Sequence, residues 1–369
     1  MKKRLILFLT AALVMFAPAC EEDEITKEEQ VKEDKELLEN LSDYVISDAN
    51  EMKESKGLQA LMAMMETMQI SDPFYDDPYA SKSAYKNKIL PSMKRGEELK
   101  SIQKDLKQMD IEEFAGTYTW NAGQQEWDVD HNNPPDKVVI VFPADGPQSQ
   151  DNNATLTLHE FEEQTFEDEW GEWQQPTSVH LDLFVDGNKE MEFIMSATYD
   201  NEGEPLSAEL DVLLGKFDFS ASFSDTGSQM SIQASIEHDD TSIMSVNLAI
   251  DYTTEIDEWG WEQKVPTYVE GYVQYGPFRL EGSMNIEELE KLDDPVADDI
   301  NQHVNLVLLS HPDGRKVADV VAVDEEGKDE PVAYLLFPDD SKEPVEKYVE
   351  PMIEEFEKWI EDLIGEPVG

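Results

Sequence analysis

Residues 206–236 read LSAELDVLLGKFDFSASFSDTGSQMSIQASI, and this stretch decides the fold. Large apolar side chains stand at every second position, and Ser, Asp, Glu and Gln fill most of the positions between them. A period of two is typical of β-strands that bury one face. The turn signal Asp225-Thr226-Gly227 separates two of these alternating runs and predicts a hairpin.

The alternation continues on both sides of this stretch and predicts a mainly β fold with flanking helices. We assign residues 114–340 to a large antiparallel meander with short turns, among them Asp186-Gly187-Asn188. A long sheet with one apolar face must curl and cover that face. It can close as a barrel or curl as a half-barrel around helices. The half-barrel alternative resembles, in architecture alone, the half-barrels of bacterial lipoprotein carriers.

Helical spacing replaces the alternation at both ends of the meander. We assign residues 37–113 to a helical segment that packs on the sheet and residues 341–369 to a C-terminal amphipathic helix. Gly57 is expected to separate two helices, and Pro344 suits the start of the C-terminal helix. Methionines of the first segment are expected to fill the core, with an adaptable ligand face as the alternative. They are Met62, Met64, Met65 and Met68.

Residues 1–19 have the features of a secretory signal peptide. A basic start (2–4) precedes an apolar run (5–16), and small residues (17–19) suit cleavage. The next residue, Cys20, is the only cysteine in the chain. Residues 17–20 resemble a bacterial lipobox, and this resemblance implies that Cys20 carries a lipid such as palmitate and becomes the mature N-terminus. An ordinary signal-peptidase site is the alternative.

Glu21, Glu22, Asp23 and Glu24 follow Cys20 directly. An acidic run at this position resembles the surface-export signal of Bacteroidota lipoproteins. The resemblance implies a lipid-anchored, surface-exposed protein of the outer membrane. The alternative is a solvated acidic tether, and we assign residues 20–36 to the lipidated cysteine and such a tether.

Composition excludes several classes of function. The chain has 28 Lys and Arg against 83 Asp and Glu, a formal charge of −55, so nucleic acid is a poor partner. One cysteine excludes a disulfide framework and a cysteine-based zinc site. The 40% hydrophobic content is sufficient for a packed core, so the chain is not a disordered acidic tail.

Loops that combine tryptophan with acidic residues are the most distinctive local feature. Aromatic rings stack on the apolar faces of sugars, and carboxylates accept hydrogen bonds from sugar hydroxyls. The alternative is that each tryptophan folds back on a sheet edge. The candidate ligand-binding residues are Trp127, Trp170, Trp173, Trp259 and Trp261.

Candidate catalytic and metal motifs are weak. Asp225-Thr226-Gly227 matches the triplet of aspartic proteases, but the chain has no second such triplet to share a proton. His159-Glu160 lacks the second histidine of the helical zinc motif, because position 163 is Glu. The six histidines show no ligand spacing. We therefore expect no catalytic residues, no metal and no cofactor.

Two classes of function remain open. The first is a non-catalytic binding or structural lipoprotein of the envelope, whose partner is a glycan or an envelope protein at the tryptophan loops. The second is a carrier that holds a lipid or acyl chain against the curved apolar face of the sheet. The sequence does not distinguish the oligomeric states.

Overall fold

The structure, a computed structural model, describes residues 26–71, 73, 114–168, 171–239, 241–256, 262–292, 295–328, 330–351 and 353–354. As predicted, the described part of the chain is mainly β with flanking helices. The chain divides into two compact units. The first unit comprises residues 1–53 and 219–369, and the second unit comprises residues 54–218.

Five helices have defined bounds in the described residues. They are α1 (Lys27–Glu39), α2 (Leu41–Lys53), α3 (Lys56–Ile70), α4 (Ile286–Glu290) and α5 (Ala297–His303). Residues 346–351 and 353–354 are also helical. Among the residues that the structure describes, no helix combines the length and the apolar character that crossing a membrane requires.

In the described residues, sixteen strands follow one another in one hydrogen-bonded order, which runs β2-β1-β3 and then in sequence to β16. The early strands are β1 (Gly116–Asn121), β2 (Glu126–Asp130), β3 (Val138–Phe142), β4 (Ala154–Asp168), β5 (Gly171–Val185), β6 (Asn188–Tyr199), β7 (Pro205–Leu214) and β8 (Phe217–Asp225). The later strands are β9 (Gln229–His238), β10 (Thr241–Ile256), β11 (Glu262–Tyr275), β12 (Phe278–Asn285), β13 (Val304–Ser310), β14 (Lys316–Val323), β15 (Val332–Leu336) and β16 (Lys342–Pro344).

The antiparallel meander is confirmed for consecutive strands from β3 to β7 and from β9 to β16. It is wrong at the N-terminal edge, where β1 pairs with β3 in parallel. The β1–β2 hairpin folds to one side of β1, so β3 takes the other side and runs in the same direction as β1. Because the strand order ends at β2 and at β16, the barrel alternative is also wrong. The half-barrel alternative stays a prediction.

The core of the first unit lies between α1, strands β12–β15 and the start of the C-terminal helical residues. The buried side chains are Val31, Leu38, Leu41, Phe278, Leu308, Val317, Ala318, Leu335, Phe337, Val345, Tyr348 and Val349. Helices from both ends of the chain therefore cover an apolar part of the sheet, as the one-sided pattern of the strands predicts.

The predicted tether over 20–36 is wrong from residue 27 onward, where α1 begins. Thr26 and Glu29 form a capping box: the Glu29 amide donates to the Thr26 hydroxyl (3.3 Å), and the Thr26 amide donates to the Glu29 carboxylate (3.1 Å). Val31 and Asp34 lie on the buried face, while most charged residues of α1 face water. The high charge of this segment therefore belongs to the exposed face of a helix.

A bidentate ion pair between Asp34 and Arg315 joins α1 to the β13–β14 hairpin. Asp34 is 3% exposed, and the Arg315 guanidinium donates to both of its carboxylate oxygens at 2.8 and 2.9 Å. A buried carboxylate needs such a partner, because transfer of an unpaired carboxylate out of water has a large free-energy cost.

The carboxylate of Glu343 on β16 is also stabilised in its charged form. Burial opposes its ionisation, but hydrogen bonds from Lys347, Tyr348 and Lys35 outweigh burial and lower the pKa of Glu343 to about 2.

In the second unit, α3 packs through its small residues. Gly57, Ala60, Ala63 and Thr67 are buried, whereas Met65 is 53% exposed and the other three methionines are half-buried. The expectation of a methionine-filled core is therefore wrong for Met65, and the fully buried positions of α3 hold small residues. Gly57 lies inside α3 rather than between helices, and a Cβ added there would lie 2.6 Å from the backbone oxygen of Glu190. The absence of a side chain at Gly57 therefore permits the close approach of α3 to β6.

The C-terminal assignment over 341–369 is wrong at its first residues. Lys342–Pro344 form β16, and helical residues begin at 346, so Pro344 ends a strand rather than starting the helix. Pro has no amide hydrogen for the sheet ladder, which suits this edge position. Residue 352 and residues 355–369 lie outside the described residues, as do residues 74–113 of the predicted helical segment.

Replacement of Asp34 by Asn should lower the free energy of unfolding by about 2 kcal/mol, because the variant loses a charge-assisted hydrogen bond at a buried position. Urea unfolding of the purified protein measures the change. Glu36→Gln on the same helix is the matched control, since the Lys32–Glu36 pair is mostly exposed and should cost less than about 0.5 kcal/mol. Equal losses in the two variants would contradict the assigned role of the Asp34–Arg315 pair.

Candidate functional site

A cluster of titratable side chains lies on the polar face of β4, β5 and β6 in the second unit. We call it the β4–β6 cluster; its members are His159, His180, Asp182, Lys189 and Glu192. Asp182 is buried at 8% exposure, and its neighbours in the cluster are half-buried or exposed. The cluster is therefore both held by the sheet and accessible from one side.

Strand geometry brings these residues together. His180 and Asp182 are two apart on β5 and so share a face. Asp182 pairs with Glu192 across β5 and β6, which places the two carboxylates directly opposite each other. His159 lies at a break in the β4–β5 register, where Leu158 pairs with Leu181 but Glu160 pairs with His180. This bulge leaves His159 without a strand partner and aims its ring at the polar face.

Lys189 lies between the two opposed carboxylates. Its ammonium is 2.7 Å from Asp182 Oδ1 and 2.8 Å from Glu192 Oε1. Like charges directly opposite on neighbouring strands destabilise a sheet, so a cation at this point offsets their repulsion. Hydrogen bonds to Asp182 and Glu192 raise the pKa of Lys189 above its ordinary value.

Each histidine of the cluster contacts one carboxylate. His159 Nε2 is 2.9 Å from Asp182 Oδ2, and His180 Nε2 is 3.3 Å from Glu192 Oε1. The two imidazole rings lie 4.9 Å apart. Burial opposes ionisation of Asp182, but its hydrogen bonds with Lys189 and His159 outweigh burial and hold the pKa of Asp182 below its ordinary value.

Three members of the cluster have the arrangement of metal ligands. One ligand atom each of His180, Asp182 and Glu192 lies within 4.8 Å of the others. The sequence predicts no metal because its histidines lack the spacing of a ligand motif along the chain. The three residues of this cluster instead come together from two neighbouring strands. The turn signal Asp186-Gly187 predicts a hairpin between β5 and β6, and pairing of these strands places Glu192 opposite Asp182.

Trp127 is held within the β1–β2 hairpin. Its ring packs against that of Trp120, its cross-strand partner, with 5.2 Å between ring centroids. Its indole N–H donates to the backbone oxygen of Ser71 at 2.6 Å. Trp120 itself is 2% exposed. The indole nitrogen, the one polar atom of the Trp127 side chain, is thus already hydrogen-bonded within the second unit.

Trp173 is also packed within its hairpin. It pairs with Phe166 across β4 and β5, and the two rings stack at 5.8 Å. The Trp173 ring also lies near the chain turn at Gly203, where an added Cβ would lie 3.2 Å from the ring. The remaining candidates, Trp170, Trp259, Trp261 and the anchor residue Cys20, lie outside the described residues.

The triplet Asp225-Thr226-Gly227 has a structural arrangement in the β8–β9 turn. The Asp225 side chain is 2% exposed. It accepts hydrogen bonds from the Tyr252 hydroxyl (2.5 Å), the Lys264 ammonium (2.7 Å) and the Gly227 amide (2.8 Å). This carboxylate fixes the turn and ties it to β10 and β11.

Comparison of the chain with protein-family models, with curated proteins and with solved structures finds no match.

Replacement of Lys189 by Met should lower the free energy of unfolding by about 1 kcal/mol at pH 7, since the half-exposed ammonium no longer separates Asp182 and Glu192. The pKa of Asp182 is depressed in the folded protein, so its contribution is present above the unfolded value of about 3.9 and is lost as pH falls. The difference between the variant and the original protein should therefore shrink below about pH 4.

Urea unfolding at a series of pH values measures this difference. Lys56→Met is the matched control in the same unit, because the Lys56–Asp186 pair is about half exposed on both sides and should contribute little. A Lys189→Met effect that does not change between pH 7 and pH 3 would contradict the assigned ion pairs.

Proposed function

We propose that the protein is a lipid-anchored envelope lipoprotein, displayed on the outer membrane, with a non-catalytic binding or structural role. The observation that carries this proposal is the position of the only cysteine, Cys20, directly after the signal-like residues 1–19. Six residues separate Cys20 from Lys27, where α1 begins. Even fully extended, this connection spans about 25 Å, so the anchor would hold the first unit near the membrane surface.

The hydrogen bonds of Asp225, the one carboxylate with a protease-like motif, support a non-catalytic role. Asp225 is occupied by Tyr252, Lys264 and Gly227 in a turn. For a glycan or an envelope protein as partner, Trp170, Trp259 and Trp261 remain the candidate contacts. Trp127 and Trp173 support this role less, because their rings pack within their own hairpins.

Replacement of Cys20 by Ala should abolish both lipid labelling and membrane association, because the thiol is the only group that can carry the anchor at this position. The measurement is incorporation of a clickable palmitate analogue in a Bacteroidota host, followed by fractionation of the cells. Persistent labelling of the Cys20→Ala protein would refute the anchor.

Neutralisation of the acidic run separates export from anchoring. A protein with Glu21, Glu22 and Glu24 changed to Gln and Asp23 changed to Asn keeps Cys20 and should keep the lipid label. Its accessibility to protease added to intact cells should fall if the run directs surface export. Unchanged accessibility would favour the alternative of a solvated tether.

A second candidate, a carrier of a lipid or acyl ligand, is favoured by uneven coverage of the apolar face in the first unit. Side chains of β12, β13 and β15 in the core cluster are fully buried. On β9 and β10, by contrast, the apolar face is only half-buried along its length. Its side chains are Met230, Ile232, Ala234, Ile236, Met244, Val246, Leu248 and Ile250. Such a face could accept an acyl chain.

Ile232→Glu should abolish binding of the fluorescent fatty acid cis-parinaric acid, because Ile232 pairs with Leu248 in the middle of this face. Fluorescence titration of the purified protein measures binding. Ser231→Glu, which adds the same charge on the opposite face of β9, is the matched control and should bind the probe normally. Absence of binding to the original protein, or equal loss in both variants, would exclude the carrier.

A further inference from the structure

The β4–β6 cluster combines two features that a salt bridge alone does not require. Asp182 and Glu192 are opposed across two strands, and each has a histidine imidazole beside it. Lys189 supplies one positive charge against two carboxylates. Two carboxylates against one ammonium favour exchange of the monovalent ammonium for a divalent cation.

The donor atoms also select a class of cation. Imidazole nitrogen with carboxylate oxygen suits zinc and its first-row neighbours, whereas calcium and magnesium prefer oxygen alone. Ligand atoms in a tetrahedral zinc site lie about 3.4 Å apart. The atoms of His180, Asp182 and Glu192 lie within 4.8 Å of one another, so closing the site requires them to approach by at most about 1.4 Å.

We propose that the β4–β6 cluster is a binding site for a divalent first-row transition metal such as zinc. His180, Asp182 and Glu192 are the ligands. His159 is a positioning residue, which contacts Asp182 Oδ2 at 2.9 Å and fixes the orientation of that carboxylate. Lys189 occupies the cation position in the absence of metal and moves to solvent when metal enters.

The position of Lys189 permits this exchange. It follows the β5–β6 turn, and its side chain is 34% exposed, so the ammonium has a path to water. Asp182, at 8% exposure, stays in place on the central strand of the three. This metal site does not depend on lipidation of Cys20 or on a ligand at the tryptophan loops.

Calorimetric titration of the purified protein with zinc chloride should show one zinc ion bound tightly per chain. Cobalt(II) should give the visible absorption of a nitrogen- and oxygen-ligated ion with the same stoichiometry. His180→Asn and Glu192→Gln should each weaken zinc binding by about tenfold or more, as loss of a ligand does. Lys189→Met should instead tighten it by about tenfold, because a competing charge within 3 Å is removed.

Two controls separate this site from general attraction to an acidic surface. His131→Gln removes an exposed histidine of the same unit and should leave zinc binding unchanged. Calcium should not compete for the single tight equivalent, because the imidazole ligand disfavours it. Circular dichroism verifies that each variant is folded.

Tighter binding in Lys189→Met cannot result from misfolding, so this variant keeps the test valid if the ligand variants are unstable. The proposal is overturned if the original protein binds no zinc above the His180→Asn background. It is overturned equally if Lys189→Met binds zinc no more tightly, or if His131→Gln weakens binding as much as His180→Asn.

Discussion

Strands that alternate apolar and polar side chains give a sheet one face that must leave water, and the described structure depends on how that face is covered. In the first unit, α1 and residues 345–349 pack on β12–β15 and bury twelve side chains of one cluster. In the second unit, α3 approaches β6 closely enough that only glycine fits at position 57. Helices distant in sequence from the strands thus cover part of the apolar face in each unit, and coverage is incomplete on β9 and β10.

The net charge of −55 imposes a second constraint, because cations are scarce. Three carboxylates with little exposure in the described fold each lie against a cation: Arg315 at Asp34, Lys264 at Asp225 and Lys189 at Asp182. The side chains of these carboxylates are 4%, 2% and 11% exposed. Most acidic residues in the described part of the chain are exposed, where water solvates their charge.

Period-two patterning predicts the strands well because burial of one face constrains every second residue. It cannot predict that β3 returns beside β1, since strand order is not encoded in alternation. The apolar pattern does not predict the start of α1 at Lys27 for a different reason: Val31 and Leu38 are seven residues apart in a charged segment. The Thr26–Glu29 capping box was the readable signal there. Prediction of the β4–β6 cluster requires the register of three strands, including a bulge at His159 that no local sequence pattern indicates.

The three buried carboxylates also explain why the β4–β6 cluster differs from an ordinary ion pair. Arg315 meets Asp34 with two parallel hydrogen bonds, and Lys264 meets Asp225 beside two further donors, so each of these carboxylates is satisfied. Lys189, by contrast, is shared between Asp182 and Glu192. A point charge on a flexible stem is a weak clamp for two opposed carboxylates, whereas a divalent ion neutralises both and also uses the imidazole of His180. One cation stabilises each of the other two buried carboxylates, whereas the β4–β6 cluster has one ammonium for two carboxylates, and this is the physical basis for the proposed metal site.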